Sequence, residues 1–327
     1  MEKIFGVVVT YGDRRKSAEC VIARVLDLAV NVVILVNNGA SWDVHSALSG
    51  KYGDRLEIVD IGLNSGSAYA FGIGISRAIA RGALYVWTLD DDGVPDVDCL
   101  DKLTSCLEDL EGARGFRPTV AIPTRLTALA DNQERQIHFP RRSSFNGFHY
   151  LDFIAKIGRR IKGAPRLDNT QTGGKVLVPL APYGGALFSS KIVTEIGLPN
   201  PDFVLYWDDY EWFSRLSTKN GEIWHARSAT IRDDTPSWDG RGVNRFVGAL
   251  TNQGNSVAYY SIRNGIYFSL RNWRAGLINF LINGALYLVV LIYFGVKTQR
   301  VDRLILLLRG VYDGMLGRLG LNGRYPL

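Results

Sequence analysis

Three consecutive carboxylates, Asp90, Asp91 and Asp92, follow an apolar run of β-branched and aromatic residues at positions 84–89. The run predicts a buried strand, and the glycine and proline that follow the carboxylates predict a turn. Because burying unpaired charges is costly, the carboxylates should lie at the carboxyl end of this strand, where open α/β sheets bind ligands. Alternating side chains would let Asp90 and Asp92 share a hard divalent cation, Mg²⁺ or Mn²⁺, that holds a diphosphate. The alternative is a solvated acidic turn.

A second acidic stretch places Asp208, Asp209 and Glu211 between two tryptophans, Trp207 and Trp212. The two aspartates precede a predicted helix, and acidic residues suit the first turn of a helix. Capping accounts for one aspartate but not for two acids beside tryptophans. A carboxylate held among aromatic rings can have a raised pKa and serve as a general base. The stretch therefore favours a base next to a sugar-binding surface, with helix capping as the alternative.

Predicted strands and helices alternate along most of the chain, which indicates an α/β fold with a doubly wound, mixed and mostly parallel sheet. The predicted strands are 4–10, 31–36, 56–61, 84–89, 119–123, 182–188 and 223–231, and the predicted helices are 15–29, 68–80, 97–110 and 191–196. Polar residues end several strands and should meet at one edge of the sheet. These are Thr10, Tyr11, Asn38, Asn64 and the three aspartates at 90–92.

The glycines at 66, 72 and 74 do not match the dinucleotide fingerprint and no glycine triplet follows the first strand, so a Rossmann-type NAD site is not expected. Gly72 and Gly74 are better explained by close packing of a helix on the sheet. Three cysteines without metal-type spacing indicate reduced thiols in a cytosolic protein, with Cys99 and Cys106 in the core. The chain enters its first strand at once, without a signal peptide.

The net charge of +6 is concentrated at the carboxyl end of the chain. From Tyr260 onward, nine Lys or Arg face two acids, so this segment carries +7 and the first 259 residues carry −1. Positions 275–296 hold no charge and could span a bilayer. However, Asn272, Gly276, Asn279 and Asn283 recur at helical spacing and form a polar or small stripe.

This tail therefore predicts a pair of helices on an anionic membrane face, with a single transmembrane span as the alternative. Nucleic acid is not expected as a partner, because long aliphatic runs separate the arginines. The predicted domains are a catalytic body at 1–258 and a membrane-associating region at 259–327. The predicted loop at 235–256, which contains Trp238, could be a lid that closes on substrate or equally an ordinary surface loop.

Six short motifs in this order resemble the family 2 inverting glycosyltransferases with the GT-A fold, particularly the bacterial galactofuranosyltransferase and rhamnosyltransferase branch. The resemblance covers about Lys3 to Asp233. The motifs are Val8-Val9-Thr10-Tyr11, Val36-Asn37-Asn38-Gly39, Asn64-Ser65-Gly66-Ser67-Ala68, Leu89-Asp90-Asp91-Asp92, Gly184-Gly185-Ala186-Leu187 and Trp207-Asp208-Asp209-Tyr210-Glu211.

The resemblance implies that Asp90 and Asp92 are the metal pair and that Asp91 faces the donor ribose or sugar. Family members often have a histidine as third metal ligand after the last core strand. Here Asp233 lies near that position and His225 lies too early. Either Asp233 replaces the histidine or the metal site is incomplete. The implied nucleotide contacts are Thr10, Tyr11, Asn38 and Asn64.

By the same resemblance, Asp209 is the catalytic base, with Asp208 beside it. The implied contacts to sugar or acceptor are Asp208, Glu211, Trp207, Gly185 and Trp238. The predicted reaction moves a sugar, galactofuranose or rhamnose, from a UDP- or dTDP-linked donor to a hydroxyl of a lipid-linked glycan or polysaccharide. The predicted location is the inner face of the cell membrane, and a homo-oligomer is compatible with the sequence.

The sequence leaves two other functional classes open. The Asp90-Asp91-Asp92-Gly93-Val94 motif also resembles haloacid dehalogenase-type phosphatases, with Asp90 as nucleophile and Asp92 as acid. In that family the motif usually lies on the first strand, whereas several predicted strands precede it here. A non-catalytic membrane scaffold would leave both acidic stretches unexplained.

Overall fold

In the computed structural model, the chain folds into two compact units. The structure describes residues 3–114, 117–127, 139–142, 144–147, 150–153, 157, 160, 171–172, 174–233, 244–251, 254–274 and 276–327. The first unit comprises Met1–Ile137, Asn169–Pro201 and Trp212–Pro236, and the second comprises His138–Asp168, Asp202–Glu211 and Ser237–Leu327.

The described part of the chain contains a ten-stranded sheet in the first unit and a two-stranded sheet, β7 with β8, in the second. The strands are β1 (Ile4–Gly12), β2 (Val32–Ala40), β3 (Leu56–Asp60), β4 (Tyr85–Asp90), β5 (Gly93–Pro95), β6 (Thr119–Thr127), β7 (Phe145–Asn146), β8 (Tyr150–Leu151), β9 (Gln171–Thr172), β10 (Lys175–Val178), β11 (Leu187–Ser189) and β12 (Glu222–Asp233).

The large sheet has the order β3-β2-β1-β4-β11-β6-β12-β10-β9, with β5 paired to β12. Its long ladders, β3-β2-β1-β4 and β6-β12, are parallel. The shorter ladders made by β5, β9, β10 and β11 are antiparallel. The sheet is therefore mixed and mostly parallel, as the alternation of strands and helices predicts.

Helices cover the sheet in the first unit and make up most of the second unit. They are α1 (Arg15–Asp27), α2 (Val44–Leu48), α3 (Ser67–Ala80), α4 (Cys99–Arg114), α5 (Lys191–Ile196), α6 (Asp208–Ser214), α7 (Arg245–Thr251), α8 (Asn255–Arg271), α9 (Leu277–Lys297) and α10 (Val301–Leu316).

Alternating side chains of β1 pack against two layers of helices. Ile4 and Val8 belong to the core that α1 and α4 share, which includes the buried thiols of Cys99 and Cys106. Val7 faces the other way, toward α3, where a Cβ on Gly74 would lie only 2.4 Å from Val7 Cγ1. The absence of a side chain at Gly74 thus permits the close helix–sheet packing that the sequence predicts there.

The sheet includes two segments that the sequence pattern does not predict as strands. The predicted turn after the aspartates is confined to positions 91–92, because Gly93–Pro95 pairs with the end of β12. The predicted strand ending at Pro123 continues to Thr127 past a register shift opposite 226–230. A proline lacks an N–H for the ladder and so marks such an irregularity. This extension brings Arg125 into the sheet.

In the second unit, α8 is buried over most of its length and packs against α10. Glycines permit this approach, since a Cβ on Gly310 would lie 2.4 Å from Ile262 Cγ2. The two tail helices that the sequence predicts are present as α9 and α10.

The inward side of α9 buries Asn283 together with apolar residues such as Phe280 and Tyr287, and the outward side is apolar. Of the predicted stripe, only Asn283 is buried, and Asn272 is exposed. Asn283, from the predicted stripe, is buried and accepts a hydrogen bond from the Phe153 backbone N–H at 2.9 Å. Among the described residues, only α9 is long and apolar enough to cross a membrane. Its exposed apolar residues are Leu277, Ile278, Leu281, Ile282, Val289, Ile292, Tyr293 and Val296.

Candidate functional site

The ends of three parallel strands meet at one edge of the large sheet. Thr10 of β1 pairs with Asn37 of β2, and Val9 pairs with Asp90 of β4. This register aligns the polar ends of the strands, as the sequence predicts. Tyr11 continues β1 beyond this point and is exposed.

Arg14 holds two of the three aspartates in the first unit. Its Nη1 donates to Asp91 Oδ1 at 2.8 Å and to Asp92 Oδ2 at 3.2 Å. The guanidinium also lies 4.5 Å from the centre of the Tyr11 ring. Asp91 and Asp92, rather than Asp90 and Asp92, therefore share one cationic partner. Strand alternation does not apply here, because the chain leaves the strand after Asp90.

Burial sets the ionisation of this cluster. Asp91 is only 1% exposed, and burial raises its pKa to about 6, although Arg14 opposes the shift. Burial would lower the pKa of Arg14, but attraction to Asp91 outweighs it, so the net shift is upward and Arg14 stays charged. Burial and the neighbouring aspartates raise the pKa of Tyr11.

Arg125 bridges Asp90 and Asp233 in the same unit. Its Nη1 donates to Asp90 Oδ2 at 2.6 Å, and its Nη2 donates to Asp233 Oδ1 at 2.6 Å. Burial lowers the pKa of Arg125, but the two carboxylates raise it by more. Gly184 permits this arrangement, since a Cβ there would lie 2.0 Å from Arg125 Nη1.

Carboxylates are the candidate ligands for a divalent cation at this edge. Within the described ranges, no group of three or more His, Cys, Asp or Glu residues could hold a metal. Asp233 is buried against Arg125, whereas the side chains of Asp90 and Asp92 are 35% and 17% exposed. A pair fits Mg²⁺-type binding, in which one or two carboxylates and substrate phosphates share the ion.

In the first unit, Asn38 near the end of β2 is joined to the loop before α3 through Asn64. Asn38 Oδ1 accepts from the Ser65 backbone N–H at 2.8 Å, and Asn38 Nδ2 donates to Asn64 Oδ1 at 3.2 Å. Asn64 Oδ1 also accepts from the Gly66 N–H at 3.1 Å. A Cβ on Gly39 would lie 2.6 Å from the backbone nitrogen of Asn64. The two predicted nucleotide contacts thus support each other at the entry to α3.

The second acidic stretch lies in the second unit up to Glu211. Helix α6 begins at Asp208, so both aspartates lie in its first turn instead of preceding it as the sequence predicts. Asp208 and Glu211 are buried, and Asp209 is half-buried with its Oδ1 accepting the Tyr210 N–H at 2.7 Å. The Trp207 ring stacks on Phe268 with centroids 5.7 Å apart.

The remaining predicted site residues have other surroundings. Gly185 donates its N–H to Thr88 O at 2.7 Å, and its carbonyl accepts from Trp87 Nε1 at 3.1 Å. Its backbone is thus engaged within the sheet of the first unit. Trp238 lies outside the described residues.

The sequence interpretation missed Arg14 and Arg125, the two cations of this edge. Arg14 follows the end of β1 by two residues, and this position could have indicated that it lies at the same edge as the aspartates. Arg125 lies beyond the proline at which the predicted strand stopped, so no local pattern placed it at the site.

Comparisons with known proteins agree with this geometry. Residues 7–160 match the model described as "Glycosyl transferase family 2". Residues 7–160 are thus similar to a family 2 glycosyltransferase domain. This region contains the β4 edge with Asp90, Asp91 and Asp92, and the match confirms the resemblance drawn from the motifs. It gives no support to a phosphatase in which Asp90 is the nucleophile.

Relatives and a solved structure extend this finding. Galactofuranosyltransferase GlfT1 of Mycolicibacterium smegmatis is 27% identical over 66% of this chain and 65% of that protein. GlfT1 of Mycobacterium tuberculosis is 26% identical over 66% of this chain and 64% of that protein. The chain thus spans slightly less than two thirds of the length of these relatives.

The fold is shared with a crystal structure of GalNAc-T7 with UDP, GalNAc and Mn²⁺. The TM-score is 0.54 at 12% identity, covering 81% of this chain and 48% of that chain. The predicted α/β fold of the GT-A type is thereby confirmed.

The pKa of Asp91 gives a pH-dependent contribution to stability. Because the pKa is raised in the folded chain, this contribution is full below the unfolded value of 3.8 and is lost as pH rises through about 6. In EDTA, the free energy of unfolding of the unaltered chain relative to Asp91→Asn should fall by about 2 kcal/mol between pH 4 and pH 7. Urea unfolding at both pH values measures this, and a constant difference would contradict it.

Proposed function

We propose that this protein transfers a sugar from a nucleotide diphosphate donor to a hydroxyl group with inversion at the anomeric carbon. The observation that carries the proposal is the acidic end of β4, inside the region that is similar to a family 2 glycosyltransferase domain. The GlfT1 relatives favour galactofuranose as the sugar. We infer a glycan as the acceptor. We infer a UDP- or dTDP-linked donor.

The β4 edge is the proposed site of the donor. Tyr11 offers an exposed ring for the base, and Asp91 would face the ribose or sugar. The Thr10 side chain hydrogen-bonds the buried Asp91 carboxylate at this edge and, like Arg14, opposes the rise of its pKa that burial causes. Asn38 and Asn64 would shape the nucleotide loop.

Charge balance supports a divalent cation at this edge. When ionised, Asp90, Asp91, Asp92 and Asp233 outnumber the two guanidiniums of Arg14 and Arg125, so the edge is anionic. An anionic edge repels a diphosphate. Mg²⁺ or Mn²⁺ held by Asp90 and Asp92 would neutralise the charge on the leaving diphosphate. Asp233 would join as third ligand only if Arg125 released it.

Asp209 is the proposed base. It would take the proton of the acceptor hydroxyl as the oxygen forms a bond to the anomeric carbon. The bond from that carbon to the diphosphate oxygen breaks on the opposite face, and its electron pair leaves with the diphosphate. Trp207, Asp208 and Glu211 would hold the sugar and the acceptor. Trp238 is a proposed further acceptor contact.

Substituting one aspartate in each acidic cluster separates the role of base from the role of metal ligand. Asp209→Asn should lower kcat by on the order of 1,000-fold, since general base catalysis contributes about 100- to 10,000-fold, and should leave the Kd for UDP with Mn²⁺ unchanged. Asp92→Asn should weaken UDP binding in Mn²⁺ but not in EDTA. Radiolabelled sugar transfer and calorimetry measure both.

Asp302→Asn is the matched control for both variants, because Asp302 is an exposed aspartate paired only on the surface with Arg300. It should behave like the unaltered chain. Turnover by Asp209→Asn close to that of this control would refute the base assignment.

We also propose that the outward face of α9 binds an anionic membrane at the inner face of the cell membrane, where a lipid-linked acceptor resides. The outward side of α9 is apolar and exposed, as in a surface that contacts lipid. Basic residues at the surface of α8–α10 and beyond accompany it. They are Arg271, Arg274, Lys297, Arg300, Arg309, Arg318 and Arg324.

Placing a charge on this face should release the protein from lipid. Val289 is 64% exposed on α9, and Val289→Asp should weaken binding to vesicles of phosphatidylcholine and phosphatidylglycerol by at least about tenfold. Val97→Asp, at a residue 71% exposed in the first unit, is the control and should bind normally. Sedimentation with vesicles measures both. Equal binding by the two variants, or none by the unaltered chain, would contradict the proposal.

A further inference from the structure

The segment that leads into Asp208 and Asp209 has an unusual backbone. Val204, Tyr206 and Trp207 have φ angles of 68°, 65° and 65°. Residues other than glycine are uncommon in this left-handed region, and a β-branched residue such as Val204 is a genuine outlier there. Such conformations persist only when the surrounding structure holds them, and they cluster at functional sites. Something in the second unit must therefore hold this segment.

Asn264, on α8, binds the carbonyls of the segment directly. Its Nδ2 lies 2.6 Å from Phe203 O, 2.8 Å from Leu205 O and 3.0 Å from Tyr206 O. Its side chain is fully buried. One amide group thus replaces the water that would otherwise solvate three carbonyls of a strained turn.

Arg263 supports the same segment from the adjacent position. Its Nη2 donates to Asp202 O at 3.2 Å and to Phe203 O at 3.1 Å, and its Nε donates to Asn264 Oδ1 at 2.8 Å. Arg263 is only 1% exposed, and no carboxylate pairs with it among the described residues. Its charge was counted above with the membrane-facing tail, but the structure places it inside, against backbone oxygens.

Gly265 completes the contact by leaving room for Trp207. A Cβ at this position would lie 2.9 Å from Trp207 Cε2 and 2.8 Å from Asn146 O. One turn further along α8, Phe268 stacks on the same indole ring. Arg263 and Asn264 thus hydrogen-bond the carbonyls of the segment, and Gly265 leaves room for its tryptophan.

We propose that Arg263, Asn264 and Gly265 are positioning residues that fix segment 203–207 and thereby set the place of Trp207 and Asp209. The inference rests on the proposed function, in which Asp209 is the base. Misplacement of a catalytic group by about 1 Å can lower a rate by on the order of 100-fold. These residues would therefore control turnover without touching donor or acceptor.

Asn264→Asp tests this inference because it keeps the shape of the side chain and removes both N–H donors. Its carboxylate would meet Arg263, which already donates to Asn264 Oδ1. Its oxygens would repel the three carbonyls. We expect kcat to fall on the order of 100-fold, with the Kd for UDP and Mn²⁺ unchanged. Amide hydrogen exchange of the 202–211 peptide should become faster.

The matched control is Asn272→Asp, at an exposed asparagine directly after the same helix. It should leave all three measurements unchanged. Equal kcat and equal exchange in the two variants would overturn the inference. If the unaltered chain transferred no sugar, the proposed function would fail. The exchange comparison would still decide whether Asn264 holds the segment.

A pair of variants in the otherwise unaltered chain covers the case in which Asn264→Asp does not fold. Tyr206→Gly and Tyr206→Ala remove the same ring and differ only in the Cβ that opposes a positive φ. The urea midpoint of Tyr206→Gly should be higher than that of Tyr206→Ala. Equal midpoints would show that segment 203–207 carries no left-handed strain and would contradict the inference.

Discussion

The concentration of negative charge at the end of β4 is the constraint on which the donor edge depends. Three successive carboxylates leave a buried strand together, and the first unit neutralises them with two arginines that arrive from β6 and from the end of β1. Asp91 is buried so deeply that its pKa rises to about 6 even beside Arg14. The edge is thus held together by charge pairs that leave a surplus of negative charge. A diphosphate can approach such a surface only with a cation or with protonation of an aspartate.

The second unit contains a buried positive charge, in contrast to the negative charge at the end of β4. It buries the Arg263 cation among backbone carbonyls and aromatic rings, with the guanidinium 4.7 Å from the centre of the Tyr260 ring. At the same time, α9 buries Asn283 and exposes a row of aliphatic side chains. Burial of a cation and exposure of an apolar face are both unusual in a soluble domain. The first maintains a strained turn before Asp209, and the second provides a surface suited to lipid.

Local patterns of the sequence were sufficient for much of the fold. Apolar β-branched runs located β1 to β4, and the uncharged segment after Arg274 located α9. The placement of Thr10 and Asp90 at one edge followed from the rule that parallel strands end together, and the register bears it out. The pattern of α9 also contained its polar stripe, although hydropathy alone does not show which side of a helix faces the protein.

Interactions between distant parts of the chain were not predictable in this way. Arg14 lies 77 residues from Asp91, and Arg125 lies 108 residues from Asp233, so only the strand order of the sheet makes them partners. The left-handed turn at Val204, Tyr206 and Trp207 contains no glycine or asparagine that would signal it. Its cause, Asn264, lies about 60 residues further along the chain.

Anomalous diffraction from crystals grown with UDP and Mn²⁺ tests most directly whether the end of β4 is the donor site. The account predicts a manganese peak at about 2.1 Å from carboxylate oxygens of both Asp90 and Asp92, with oxygens of the diphosphate in the same coordination shell. Manganese bound away from both carboxylates, or UDP bound at another edge of the sheet, would contradict it.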